Sequence, residues 1–222
     1  MTLYALGRDE KQRPPTADFR DIAEEYLLEL AAAALSVDSA TVAELATLLV
    51  NTVSSGHAVF TAGNGGSAAA AEHMASDWQA AFARRGQRPC RIVALTDNLA
   101  RLTALANDVS YDDVFTQRLW CEGQAGDILI LLSVSGDSAN LVSAAQTARE
   151  LGMTVAGIVG RGGALARHCD LLAVVGNGDY GLAEDLHLAI NHTLVRILNG
   201  GRPLLAGTFG PRPDGTAPGE RG

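Results

Sequence analysis

Five short apolar runs separated by helical stretches constrain this chain more than any other feature: HAVFTAG at 57–63, RIVALTD at 91–97, DILILLSVSG at 127–136, TVAGIVG at 154–160 and LLAVVG at 171–176. Runs of this length that are apolar on both faces belong in a parallel sheet covered by helices on both sides. The stretches between them are long enough for right-handed crossover helices. The pattern therefore predicts an α/β fold, a three-layer doubly wound sandwich around five parallel strands. Ligands in such folds sit beyond the carboxyl ends of the strands, so the loops that follow the runs are where chemistry is to be sought.

Two amphipathic helices precede the first run. Phe19, Ile22, Ala23, Tyr26, Leu27, Leu30 and Ala34 recur at helical spacing within 17–36, and a second helix is predicted over 39–54. Their apolar faces admit two readings, packing within the chain or contact with a second subunit. A last helix is predicted from Leu182 to Leu198, stopped by Asn199, Gly200 and Gly201. The chain thus divides into a flexible N-terminus over 1–16, one domain over 17–199 and a Gly- and Pro-rich tail over 200–222 that is expected to be disordered.

Charge narrows the partners. Among 17 basic residues only Lys11 is a lysine, which excludes a Walker-type phosphate loop and argues against Schiff-base chemistry. A formal charge of -8 argues against a broad nucleic-acid or anionic-membrane surface. Cys90, Cys121 and Cys169 are odd in number and form no CxxC pair, which fits a reducing compartment and a cytoplasmic location. With neither a signal-like start nor 18 uninterrupted apolar residues, no membrane partner is expected.

Two loops carry the chemistry. The first run leads into Gly63, Asn64, Gly65, Gly66 and Ser67 and then an alanine-rich helix beginning near Ala68. Such glycines let backbone amides approach an anion at a helix N-terminus, although a simple tight turn is the alternative reading. The spacing is not GxGxxG, so no dinucleotide site is expected. The third run ends in Ser133, Val134, Ser135, Gly136, Asp137, Ser138 ahead of another helix. Its hydroxyls offer neutral donors to a phosphate without a lysine, while Ser138 alternatively serves only as a helix cap.

The segments AGNGGSAAAAEHMASDW, LTDNLARLTALANDVSYDDVF, LLSVSGDSANLVSAAQTARELGMTVAGIVGRGG and AEDLHLAINH resemble, in order and spacing, the sugar isomerase (SIS) domain proteins of the phosphoheptose isomerase family, over about 20–198. That resemblance implies a flavodoxin-like sheet, a homotetramer with active sites at subunit boundaries, a bound zinc ion, and conversion of sedoheptulose 7-phosphate to D-glycero-D-manno-heptose 7-phosphate through an enediol. No nucleotide cofactor is implied. Carried over by motif, Asn64, Gly65, Gly66 and Ser67 form the first sugar-phosphate loop, Asn107 and Asp108 contact substrate, and Ser133, Ser135 and Ser138 bind the phosphate. His73 and His192 match positions that bind metal or act on substrate.

The chain departs from the family pattern at several points. Asp77 stands where the family carries the glutamate taken as general base, four residues after His73 and on the same helix face. An aspartate carboxylate sits roughly 1.5 Å farther back, and a displacement of about 1 Å can cost on the order of 10²-fold in rate. Glu184 replaces a glutamine, so the expected metal set is His73, Asp77, Glu184 and His192, suited to a divalent cation, with zinc the natural candidate. The alternative is a solvated Asp77 beside an ordinary His73, and His187 reads more simply as structural. Val134 replaces a threonine, and the family's arginine falls near Ala81, with Arg84, Arg85 or Arg88 as substitutes. Asp77 and His192 are the expected catalytic pair. A non-catalytic SIS-fold regulator resembling the replication-initiator-associating proteins, or an isomerase of another sugar phosphate, are the competing readings.

Overall fold

The computed structural model describes residues 18–87 and 89–204. The expected flexible N-terminus with Lys11, the residue Arg88 and positions 205–222 of the expected disordered tail lie outside the described residues. The chain runs α1 (Phe19–Leu35), α2 (Ser39–Ser54), β1 (Val59–Gly63), α3 (Gly66–Arg84), β2 (Ile92–Ala94), α4 (Leu99–Asp108), α5 (Thr116–Glu122), β3 (Ile128–Ser133), α6 (Ala139–Glu150), β4 (Thr154–Val159), β5 (Leu171–Val174) and α7 (Tyr180–Leu198).

All five strands are parallel in the order β2-β1-β3-β4-β5. This is the flavodoxin-like order, in which the chain reverses its direction of winding between β1 and β3. Alternation along the strands divides the core in two. Val59, Ile128, Ile130, Leu132 and Ile158 face a layer built by Leu45 and Leu49 of α2, Met74 and Trp78 of α3, and Leu186, Ile190 and Leu194 of α7. Phe60, Ala62, Leu129, Leu131, Val155 and Val159 face the opposite layer, where Leu119 of α5 and Leu141, Ala144 and Ala148 of α6 pack. A parallel sheet needs this two-sided cover, which is why its strands are apolar throughout.

The two N-terminal helices part company. Helix α2 buries Val42, Leu45, Leu49 and Val53 in the core, whereas α1 buries no residue and leaves Phe19, Leu27, Leu28 and Leu35 exposed. The Tyr26 hydroxyl ties α1 to α7 by donating to Asp185 Oδ2 (2.7 Å). No single helix among the described residues is long and apolar enough to cross a membrane.

At the amino end of the sheet Asp127 is fully buried, accepting from the amides of Ala58 (2.8 Å) and Gln124 (3.0 Å) with Arg91 3.6 Å away. It locks β1 to β3, the pair from which both site loops emerge. Asp127→Ala leaves the buried Ala58 amide and the part-buried Gln124 amide unpaired and is expected to lower unfolding stability by about 2 kcal/mol in urea titration, with an unchanged m-value.

Candidate active site

Both loops singled out in the sequence open at the carboxyl edge between β1 and β3, at the topological switch point. They line one cavity of about 390 Å³ with Asn64, Gly65, Ser67, Leu132, Ser133, Val134, Ser135, Ser138, Leu141, Tyr180 and Glu184. Helix α3 starts at Gly66, two residues earlier than helix propensity suggests. Gly65 caps it at φ 56°, ψ −126°, a backbone conformation open to glycine and strained for other residues. A Cβ on Gly66 would land on the carboxylate of Glu184, so the glycine is what lets that side chain lie against the helix start.

The two loops are clasped. Asn64 and Asn140 exchange amide hydrogen bonds, each donating to the other's Oδ1 at 2.9 Å, and the Tyr111 hydroxyl also donates to Asn64 Oδ1 (2.9 Å). Asn140 is buried in the first turn of α6. The sequence reading gives neither Asn140 nor Tyr111 a role; a polar residue on the inward face of a helix start was the available signal for Asn140. In the second loop Ser133 Oγ accepts from the Gly136 amide (3.0 Å) and Ser135 Oγ from the Asp137 amide (3.1 Å). Asp137 turns its own Oδ1 onto the Ala164 amide (2.7 Å) and stays out of the cavity lining. Ser138 occupies the N-cap of α6 yet makes no side-chain cap bond, so capping does not use its hydroxyl.

Some expected members lie elsewhere. Asn107 and Asp108 sit exposed at the end of α4, where Asn107 Nδ2 donates to Asp108 Oδ1 (2.7 Å), and neither lines the cavity. Ala81 is buried, Arg84 is exposed at the end of α3, and Arg85 donates to the Leu198 carbonyl (2.9 Å), so neither arginine serves the loops. Arg161, overlooked in the sequence, leaves β4 beside the second loop, with its amide bonded to the Val134 carbonyl (2.9 Å) and its side chain lying over Gly178.

A second group of functional side chains lies farther along α3 and α7. Gly66 meets Glu184, His73 meets His192 and Asp77 meets Asn191, so the two helices run side by side in the same direction. His73 Nε2 lies 3.2 Å from Asp77 Oδ2, and the rings of His73 and His192 stand edge to face with centroids 5.4 Å apart. The ligating atoms of His73, Asp77 and His192 all fall within 4.8 Å of one another. Two imidazoles and a carboxylate at that spacing, half-exposed, fit a divalent ion with an open coordination position. Glu184 of the expected four-residue set lies outside this cluster within one copy of the chain. Its carboxylate rests against Gly66, seven residues and about 10 Å of helix rise before His73, where the amide ends of α3 favour a negative charge.

His187 is fully buried and structural, its Nε2 donating to the Ile158 carbonyl (3.1 Å). Asn191, one turn farther along the same inward face, was likewise overlooked in the sequence; its Nδ2 donates to Asp77 Oδ2 (2.8 Å).

The family described as the SIS domain matches residues 24–160. A phosphoheptose isomerase of Chlorobaculum parvum is 39% identical over 164 residues, covering 72% of this chain and 78% of that protein. The solved phosphoheptose isomerase from Francisella tularensis superposes with a TM-score of 0.74 at 26% identity, covering 83% of this chain and all of that one. The corresponding structure from Neisseria gonorrhoeae gives 0.74 at 28% identity, covering 82% of this chain and 98% of the other.

Burial pushes the His187 imidazole down to about 4 from its ordinary 6.5. The unfolded chain therefore takes up a proton below about pH 6.5 that the folded chain refuses until about pH 4, and stability falls as pH drops through that window. Between pH 7.5 and pH 5 this group alone is expected to remove about 2 kcal/mol. Urea unfolding of wild type and His187→Gln at both pH values checks it: the wild type should lose that much more than the variant.

Proposed function

The chain belongs to the SIS-domain family and, within it, to the phosphoheptose isomerases, and we propose that it interconverts sedoheptulose 7-phosphate and D-glycero-D-manno-heptose 7-phosphate with Asp77 moving the proton. The observation that carries this reading is the Asp77 carboxylate set 3.2 Å from the His73 imidazole, within a cluster that also includes His192. An aldose–ketose isomerase needs a carboxylate to shuttle a proton between neighbouring carbons and a partner to handle the two oxygens.

The phosphate is assigned to the second loop. The start of α3 already holds the Glu184 carboxylate, which repels a dianion, whereas the start of α6 offers unpaired amides and the hydroxyls of Ser135 and Ser138. Asn64, Gly65 and Ser67 then contact the sugar chain, and Asn107 and Asp108 are assigned to a substrate contact from a neighbouring copy. Remote binding of the phosphate positions the reacting end.

Asp77 takes a proton from C1 while the C2 carbonyl oxygen gains one from His192, giving the enediol. The O1 hydroxyl then returns a proton to His192 as the carbonyl forms at C1, and Asp77 delivers its proton to C2. Alternatively, a divalent ion, zinc by the donor set, would be held by His73, Asp77 and His192; His192 would then be a ligand in place of the proton donor, and the ion would supply Lewis-acid polarisation of the carbonyl.

A homotetramer is part of the proposal, supported by the exposed apolar side chains of α1 and by the open position of His73 and His192. The free cysteines Cys90, Cys121 and Cys169 are consistent with a cytoplasmic home.

Purified protein incubated with sedoheptulose 7-phosphate, with and without zinc, is expected to form heptose 7-phosphate. Asp77→Asn and His192→Gln should each lower kcat by about 10²-fold or more. Absence of turnover by wild type in both conditions removes the sedoheptulose 7-phosphate isomerase reading and leaves the non-catalytic binding protein or an isomerase of another sugar phosphate.

A further inference from the structure

We infer that Asn191 is a positioning residue that fixes the Asp77 carboxylate in its working orientation. The inference rests on the isomerase reading of the same site. Asn191 is fully buried on the inward face of α7, in a stripe otherwise made of Ala183, Leu186, Ile190, Leu194, Val195 and Leu198 with His187. A leucine there would extend that stripe. Instead the position holds an amide whose Nδ2 donates to Asp77 Oδ2 (2.8 Å) and whose Oδ1 is buried with no hydrogen-bond partner. A carboxylate only accepts, so the amide nitrogen must face it and the unsatisfied oxygen follows from that orientation.

A half-satisfied buried amide destabilises a fold relative to an apolar side chain of similar size. Its presence is therefore explained by what the donor does. Asp77 reaches from the half-exposed outer side of α3, and a free aspartate carboxylate rotates about its terminal torsion. The Asn191 bond, from a side chain that packing holds still, stops that rotation. It engages Oδ2, the oxygen that also lies 3.2 Å from His73 Nε2, and so leaves Oδ1 free toward solvent and substrate. A neutral amide does this without placing a positive charge beside the carboxylate, which would weaken it as a base. Asn191 also immediately precedes His192, so one turn of α7 sets both the carboxylate and the second imidazole.

The test is Asn191→Leu, with Asn191→Ser as a second variant too short to reach Asp77, assayed beside wild type. Three readouts are taken: kcat and KM on sedoheptulose 7-phosphate, zinc affinity by competition with a chromophoric chelator, and the thermal midpoint. The expected result is a kcat lower by about 10- to 100-fold with KM nearly unchanged, zinc affinity reduced over the same range, and a midpoint for Asn191→Leu equal to or above wild type. A merely structural asparagine would instead lower the midpoint and leave kcat of the folded protein intact. Active wild type with unchanged kcat and zinc affinity in both variants overturns the positioning role and leaves the isomerase reading standing. Inactive wild type that binds zinc, more weakly in the variants, removes the isomerase reading and keeps the positioning role. Wild type with neither turnover nor zinc binding overturns both.

Discussion

The side-by-side packing of α3 against α7 is the contact on which the rest of the site depends. Both helices leave the carboxyl edge of the sheet on the same face and run in the same direction, seated by Met74, Trp78, Leu186, Ile190 and Leu194. Because their axes stay in step, two levels of side chains meet: Glu184 with Gly66, and farther along the adjacent Asn191 and His192 with Asp77 and His73. Apolar burial on the inner faces thus sets the spacing of the polar groups beside it. A shift of either helix by one residue, 1.5 Å along its axis, would separate all three pairs together.

The same geometry separates charge along the site. The Glu184 carboxylate sits on the positive end of α3, and the positive end of α6 remains open beside Ser135 and Ser138. Clasping of Asn64 to Asn140 holds the two helix starts at a constant distance. A chain with -8 net charge and one lysine can still receive a phosphate by this means, through hydroxyls and oriented amides in place of a cation. Net charge governs the broad surface far more than it governs this cavity.

Much of the architecture was legible in the sequence because its physics is local. Strand runs such as ILILLS at 128–133 are apolar on both faces only where helices cover both, and all five of them form strands of one parallel sheet. The loop residues Asn64, Ser67, Ser133, Ser135 and Ser138 were readable because strand-to-helix turns concentrate function in a few positions. Glu184 lies apart from the His73 cluster within one copy for a physical reason: spacing along α7 says which face it shares with His192, but the rotamer is decided by the α3 amides and by the missing side chain of Gly66. Asn107 and Asp108 follow the motif yet stay apart from the cavity within one copy of the chain. Tyr111, Asn140 and Asn191 were hidden because their roles are tertiary hydrogen bonds spanning 47, 76 and 114 positions of sequence. Polar residues inside apolar helical stripes were the one trace left by Asn140 and Asn191.

The central claim is that the phosphate binds at the start of α6 and the reacting carbons lie at Asp77. A crystal structure with sedoheptulose 7-phosphate bound tests it most directly. The account predicts phosphate oxygens hydrogen-bonded to Ser135, Ser138 and the first amides of α6, with C1 and C2 about 3.5 Å from an Asp77 carboxylate oxygen. Phosphate seated on the start of α3 in place of the Glu184 carboxylate, or a sugar whose C1 and C2 lie away from every Asp77 in the assembly, would contradict it.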